Sequence, residues 1–211
     1  MPCPSKRVHF DNYVFNIYEE VYDPAEDSFL FAQNFDVKEG EQVLDLGTGC
    51  GLLGILAAKK AERVVAVDFN PSAIRCAKEN SVLNGLRGKI DFVQGSLFTA
   101  LNPSATFDLI FFNAPYLPSE EGETESWIGR AWAGGANGRE VVDQFIFEAP
   151  SHLKFQGRVL LMQSTLTGVE ETIHKFIKQG LRAHVKAEQK LPFFETLTLI
   201  EATVEVQKET I

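Results

Sequence analysis

Apolar residues come in short blocks along this chain, and the spacing within the blocks changes from one to the next. Gln42–Leu46, Arg63–Asp68, Ile90–Gln94, Phe107–Phe112 and Arg158–Gln163 are compact runs dominated by Val, Ile, Leu and Phe, which predicts buried strands. Between them lie helical patterns: Leu52–Ala61, Pro71–Leu83 capped by Asn70, Arg139–Leu153 and Val169–Gln179. Upstream, Asp23-Pro24-Ala25-Glu26 predicts a helix start, with Asp at the N-cap, Pro at the first helical position and Glu closing a capping box. Phe29, Leu30 and Phe35 give that helix an apolar side. Val8 to Ile17 alternates loosely around Asp11-Asn12 and reads as a short hairpin. Leu181–Lys190 and Thr196–Val206 read as two strands in succession, with no room for a helix between them.

Alternating strands and helices predict an α/β fold: a parallel, doubly wound sheet with helices on both faces, ending in an antiparallel pair. No repeat, low-complexity tract or Ser/Gly linker interrupts it, so residues 1–211 read as a single domain, with 1–40 as an N-terminal extension packing on it. Leu117–Gly138 is the one long irregular segment, with four glutamates, two tryptophans and Gly134-Gly135. Loops of that length are usually functional lids or mobile. A hydrophobic content of 45% with 17 phenylalanines is ample for one core. No stretch approaches the roughly 18 apolar residues of a membrane span, and the N-terminus lacks the apolar core of a secretory signal. Cys3, Cys50 and Cys76 contain no C-x-x-C pair, which argues against a cysteine zinc site and for reduced thiols in a cytoplasm. A net charge of −9 repels phosphate backbones and demotes nucleic acid as a substrate.

Two strand ends carry the candidate chemistry. Asp45-Leu46-Gly47-Thr48-Gly49-Cys50-Gly51 follows the first core strand and opens a helix, so its backbone can approach a ligand without interference from Cβ atoms. A dinucleotide fingerprint needs Gly-x-Gly-x-x-Gly, and Leu52 stands where the third glycine belongs. An acid at that strand end repels phosphates and attracts an ammonium or sulfonium. Asp68 ends the next strand, where a carboxylate can take both ribose hydroxyls. Together these favour S-adenosylmethionine over NAD. The second strand end is Asn113-Ala114-Pro115-Tyr116, which places an amide and an aromatic where a parallel strand would empty into a pocket.

The glycine turn resembles motif I of class I methyltransferases, and Asn113-Ala114-Pro115-Tyr116 resembles their Asn-Pro-Pro-Tyr motif. Val21-Tyr22-Asp23-Pro24-Ala25-Glu26-Asp27-Ser28 and Trp132-Ala133-Gly134-Gly135-Ala136-Asn137-Gly138-Arg139-Glu140 are similar to signatures of the archaeal and eukaryotic HemK-type glutamine methyltransferases. Those enzymes modify the Gly-Gly-Gln loop of class I release factors. The resemblance runs from about residue 21 to the C-terminus. It implies a Rossmann-like, mostly parallel seven-stranded sheet with an antiparallel C-terminal strand. It further implies that Ser28, Asp45, Gly47, Gly49, Gly51, Asp68, Ser96, Leu97 and Asn113 line an S-adenosylmethionine site. Two positions depart from the family pattern: Ser96 stands where an acid usually holds the adenine amino group, and Ala114 replaces the first proline.

The function expected is N5-methylation of a release-factor glutamine, with Asn113, Ala114, Pro115 and Tyr116 as the catalytic group. A glutamine nitrogen is a poor nucleophile, so two acceptors, the Asn113 side chain and the Ala114 carbonyl, would orient it, with Tyr116 packing against the amide. Adenine-N6 methylation of nucleic acid, lysine methylation of a protein and an inactive cofactor-binding subunit stay open beside this reading. The resemblance also implies a small zinc-binding activator of the Trm type, which would add to the sheet along an edge strand Ile90–Gln94. His9, His152, His174 and His184 are scattered, and no metal is expected. The glutamates of Leu117–Gly138 read as solvated surface. Trp127 and Trp132 read as packing within the loop, with stacking on a substrate as the alternative.

Overall fold

Seven strands form one sheet: β3 (Gln42–Leu46), β4 (Arg63–Asp68), β5 (Ile90–Gln94), β6 (Phe107–Asn113), β7 (Leu153–Ser164), β8 (Leu181–Lys190) and β9 (Thr196–Val204). Their spatial order is β5-β4-β3-β6-β7-β9-β8. The first five pair in parallel, and β9 lies antiparallel between β7 and β8. A separate hairpin, β1 (Lys6–Phe10) and β2 (Tyr13–Ile17), precedes them. The structure is a computed structural model describing residues 5–120 and 122–204; Cys3 and the last two positions expected in the terminal strand, Glu205 and Val206, lie outside the described residues.

Val43, Leu44 and Leu46, then Leu109 to Phe112, then Val159 to Met162 are all buried, as strands covered on both faces must be. The helices are α1 (Glu26–Asn34), α2 (Leu52–Ala57), α3 (Pro71–Leu83), α4 (Trp127–Trp132), α5 (Glu140–Glu148) and α6 (Val169–Lys178). From β3 the chain steps outward to β4 and β5, and from β6 it steps the other way to β7. Right-handed crossovers therefore put α2 and α3 on one face and α5 and α6 on the other. The step direction reverses between β3 and β6, which opens a crevice at their carboxyl ends.

Four expectations about element boundaries are corrected. Helix α1 begins at Glu26 with Ala25 as its N-cap and no side-chain cap. Asp23 pairs instead with Lys6 of the hairpin, so an ion pair takes the carboxylate that looked like a cap. Helix α2 ends at Ala57, short of the expected Ala61. Helix α5 stops at Glu148, because Pro150 two residues on has no N–H to continue it; a 3-10 turn over Ala149–His152 leads directly into a β7 that starts at Leu153. Leu117–Gly138 is not wholly irregular: it contains α4 and a 3-10 turn at Glu123–Glu125.

Asn80, fully buried on α3, ties distant parts together. Its amide donates to the Asn16 carbonyl at 2.9 Å and the Cys50 carbonyl at 2.9 Å, and its oxygen accepts from the Asn16 N–H at 2.9 Å. Among the described residues, no helix is long and apolar enough to cross a membrane.

Candidate active site

The crevice between β3 and β6 deepens into a cavity of about 440 Å³. Ser28, Asp45, Gly47, Gly49, Asp68, Ser96, Leu97 and the whole Asn113–Tyr116 segment line it, while Gly51 sits just behind.

The glycine turn starts where β3 ends. Gly47 and Gly49 take φ of +64° and +56°, conformations that glycine adopts without a Cβ penalty. Gly51 has a different duty: a Cβ there would stand 3.0 Å from that of Ala77, so it lets α2 pack against α3. Asp45 is 1% exposed and braces this turn from behind. Its Oδ2 accepts from the Thr48 hydroxyl at 2.6 Å and the Gly54 N–H at 2.9 Å. Burial pushes the Asp45 carboxyl up to about 7, against the pull of those two donors. Gly54 escapes the sequence reading, yet a Cβ there would lie 2.7 Å from Asp45 Oδ2.

Asp68 ends β4 with one oxygen on the Gly49 N–H and the other on the Asn70 N–H, both at 2.8 Å. Burial raises its pKa while those backbone donors lower it. Each carboxylate oxygen keeps a second lone pair, so the side chain is fixed and still able to accept two hydroxyls. Phe69 follows, half exposed, with its ring centroid 5.5 Å from Trp127 of α4. The Arg130 guanidinium lies 5.1 Å from the Trp127 ring centre and 5.9 Å from that of Phe69. These three line one wall of the cavity, so α4 forms its flank.

At the end of β6 the Asn113 amide donates through Nδ2 to Asp27 at 3.1 Å and to Ser28 Oγ at 3.3 Å. Its Oδ1 is buried without a hydrogen-bond partner among the described residues. Asp27, 6% exposed, also accepts from the Ser28 N–H at 2.6 Å, the Tyr22 hydroxyl at 3.2 Å and the Tyr116 hydroxyl at 3.4 Å. Burial first, and then the Asp27 charge, raise both phenols above their ordinary range, so both stay protonated donors. Asp27 and Tyr22 also line the cavity and are candidate site residues that sequence reasoning misses. Their signal is the Val21–Ser28 segment, from which the resemblance carries only Ser28 into the cofactor site.

The Trp132–Glu140 segment buttresses the motif. The Leu117 N–H donates to the Trp132 carbonyl at 3.0 Å, and the Gly134 N–H donates to the Leu117 carbonyl at 2.8 Å. A Cβ on Gly138 would fall 2.4 Å from the Tyr116 carbonyl. Buried Arg139 anchors the segment to the start of α6 through the Gly168 carbonyl at 3.0 Å and the Thr172 hydroxyl at 3.1 Å. His152 is structural, stacked on Phe98 at 4.6 Å with Nδ1 on the Ala105 carbonyl at 2.8 Å.

This donor set fits S-adenosylmethionine: an open glycine cradle, a fixed carboxylate pair of acceptors one strand away, and an unpartnered amide oxygen at the switch point. The model of the methyltransferase small domain matches residues 18–191. A Methanocaldococcus jannaschii protein, named as a candidate protein N5-glutamine methyltransferase, is 43% identical over 87% of this chain and 92% of its own length. The release factor glutamine methyltransferase of Deinococcus radiodurans is 38% identical over 58% of this chain, which spans 45% of that longer protein. The E. cuniculi Mtq2–Trm112 complex, described as responsible for methylation of the eRF1 termination factor, superposes with a TM-score of 0.69 at 23% identity. The match covers 88% of this chain and 99% of the solved one. With that span of matched residues on this sheet order and cavity, the chain belongs to the methyltransferase small domain family and is a methyltransferase that uses S-adenosylmethionine.

Proposed function

We propose that this enzyme methylates the side-chain amide nitrogen of a glutamine in a class I release factor. The observation that carries the reading is the Asn113 carboxamide, whose nitrogen is held by Asp27 and whose oxygen is left without a partner. A carboxylate can only accept from it, so Asp27 fixes which way round the amide stands. The oxygen then offers an acceptor to one N–H of an incoming amide, and the Ala114 carbonyl offers another to the second. Pro115 biases Ala114 toward extended backbone, as it would a proline at that position. Bound S-adenosylmethionine supplies an electrophilic methyl group on a sulfonium. The protein's part is to hold a weakly nucleophilic nitrogen in line and to stabilise the positive charge that develops on it. Tyr116 spends its hydroxyl on Asp27, which fixes the ring that closes the side of the cleft. The names of the relatives given above support glutamine over adenine or lysine as the acceptor.

Transfer of label from the cofactor to a full-length release factor, a lysine-bearing protein and DNA tests the assignment. Methyl on a glutamine nitrogen of the release factor alone is the expected result. Asn113→Ala should cut that turnover by about 10²–10³, the loss typical of one preorganised polar group. Near-normal turnover in the variant would sink the mechanism.

The same reading includes a small activator subunit, as in the E. cuniculi complex. Among the described residues, strand β5 is at a sheet edge, bonded only to β4, with Phe92 and Val93 half-buried. Co-expression with a Trm112-type protein should raise solubility or activity. Full activity and a single monodisperse species without it would count against the partner.

A further inference from the structure

Phe193 and Phe194 occupy the turn between β8 and β9 and are 94% and 102% exposed, the most exposed of the large apolar side chains among the described residues. Both have left-handed backbone, with φ of +62° and +65°. Glycine or asparagine fills such positions with little strain, and a bulky residue there is an outlier. Neither ring packs on the core, so nothing within the fold rewards the strain. Strain kept at an exposed position points to a task outside the fold.

The place of the turn says which task. Leu197 of β9 pairs with Ser164 of β7, so residues 191–195 lie at the same end of the sheet as the carboxyl ends of β6 and β7, where the cleft opens. The turn is fixed there: the Leu191 N–H donates to the Glu195 carbonyl at 2.8 Å, and the Thr196 N–H donates to Thr165 Oγ1 at 3.0 Å. Glu195 is near enough to Tyr116 for its charge to act on that phenol. Next to Thr165, Leu166 is 57% exposed and adds a third exposed apolar side chain at this end of the sheet.

We infer that Phe193, Phe194 and Leu166 form a docking rim for the protein whose glutamine enters the cleft; the inference rests on the function proposed above. Exposed aromatic side chains lose little rotamer entropy on burial and anchor protein interfaces. A second copy of a chain carrying a net charge of −9 would be repelled, as would an anionic membrane. A protein that delivers a glutamine to the cleft must pass this turn, and apolar side chains beside its target loop would cover the rim.

The double variant Phe193→Asn/Phe194→Gly replaces both residues with ones suited to left-handed backbone. With a full-length release factor its KM should rise about tenfold or more, while kcat at saturation and calorimetric affinity for S-adenosylmethionine stay close to wild type. Its melting temperature should hold or rise, since strain is removed. Leu166→Ser should show the same split more weakly. An unchanged KM in both variants overturns the docking rim and leaves the glutamine assignment standing. A wild-type dimer that the double variant converts to monomer gives the patch to self-association and overturns it equally. No transfer by the wild-type enzyme to the release factor overturns the substrate assignment and the rim with it.

Discussion

Asn113 Nδ2 lies 3.1 Å from a carboxylate oxygen of Asp27, joining the end of β6 to the first turn of α1. The amide cannot turn over without setting its own oxygen against a carboxylate. The pairing therefore decides which atom of Asn113 is left without a partner, and under the function proposed above Asp27 would act on the reaction through Asn113.

Asp27→Asn keeps the shape of that group and removes its fixed sense, because an amide can donate as well as accept. Five donors, two of them from Ser28 and the others from Tyr22, Asn113 and Tyr116, then compete for one oxygen. Turnover should fall about 10²-fold, the cost of a misplaced reacting group, with calorimetric cofactor affinity little changed. A loss confined to cofactor affinity would give Asp27 a different role.

Asp68→Ala should weaken S-adenosylmethionine binding roughly ten- to a hundredfold, as hydrogen bonds to a charged group are worth about 1.5–3 kcal/mol. The variant also strips the Gly49 N–H of its acceptor, so the glycine turn loosens with it. Calorimetry giving unchanged affinity would remove the residue from the cofactor site.

Asp45 predicts a pH dependence of stability. Its carboxyl rises from an ordinary 3.8 to about 7 on folding, so the folded state holds the proton more tightly. The stability this contributes is complete below pH 3.8 and is lost as the pH climbs to about 7. Asp45→Asn cannot titrate. The difference in unfolding free energy between variant and wild type should shift by something on the order of 4 kcal/mol across that window and level off above it. Urea melts at stepped pH would show it; a difference constant with pH would contradict it.

Gly138→Ala combines left-handed strain at φ +71° with a clash against the Tyr116 carbonyl. The cost should be about 2–4 kcal/mol, visible as a lower melting temperature together with reduced turnover. Gly180→Ala is the control, since φ is +81° there and a Cβ would meet nothing within 4 Å. Equal losses in the two variants would mean that backbone strain alone is at work.

The sheet was legible because its signals are local. Strands β3, β4 and β5 and helix α3 begin and end at the residues expected; Gly47 and Gly95 follow β3 and β5, and a capping Asn70, whose oxygen accepts the Ser72 N–H, opens α3. What failed to show was set by partners distant in sequence. Asp23 looks like a helix cap until Lys6 claims it, and the start of β7 depends on Leu153 pairing with Phe107 across an irregular register. Positions along the cleft walls could be read from strand ends. The orienting carboxylate could not, because Asp27 acquires its meaning only when folding brings α1 against Asn113.

The Asn80 side chain holds the backbone of the β1–β2 hairpin on one side and the Cys50 carbonyl of the glycine turn on the other. No residue of that hairpin lines the cavity. It nevertheless bears on the glycine turn, because a displaced hairpin would leave a buried amide without two of its hydrogen bonds at the back of that turn. The hairpin is thus part of the scaffold of the glycine turn: two of the hydrogen bonds that fix the Asn80 amide are made with Asn16, and another reaches Cys50.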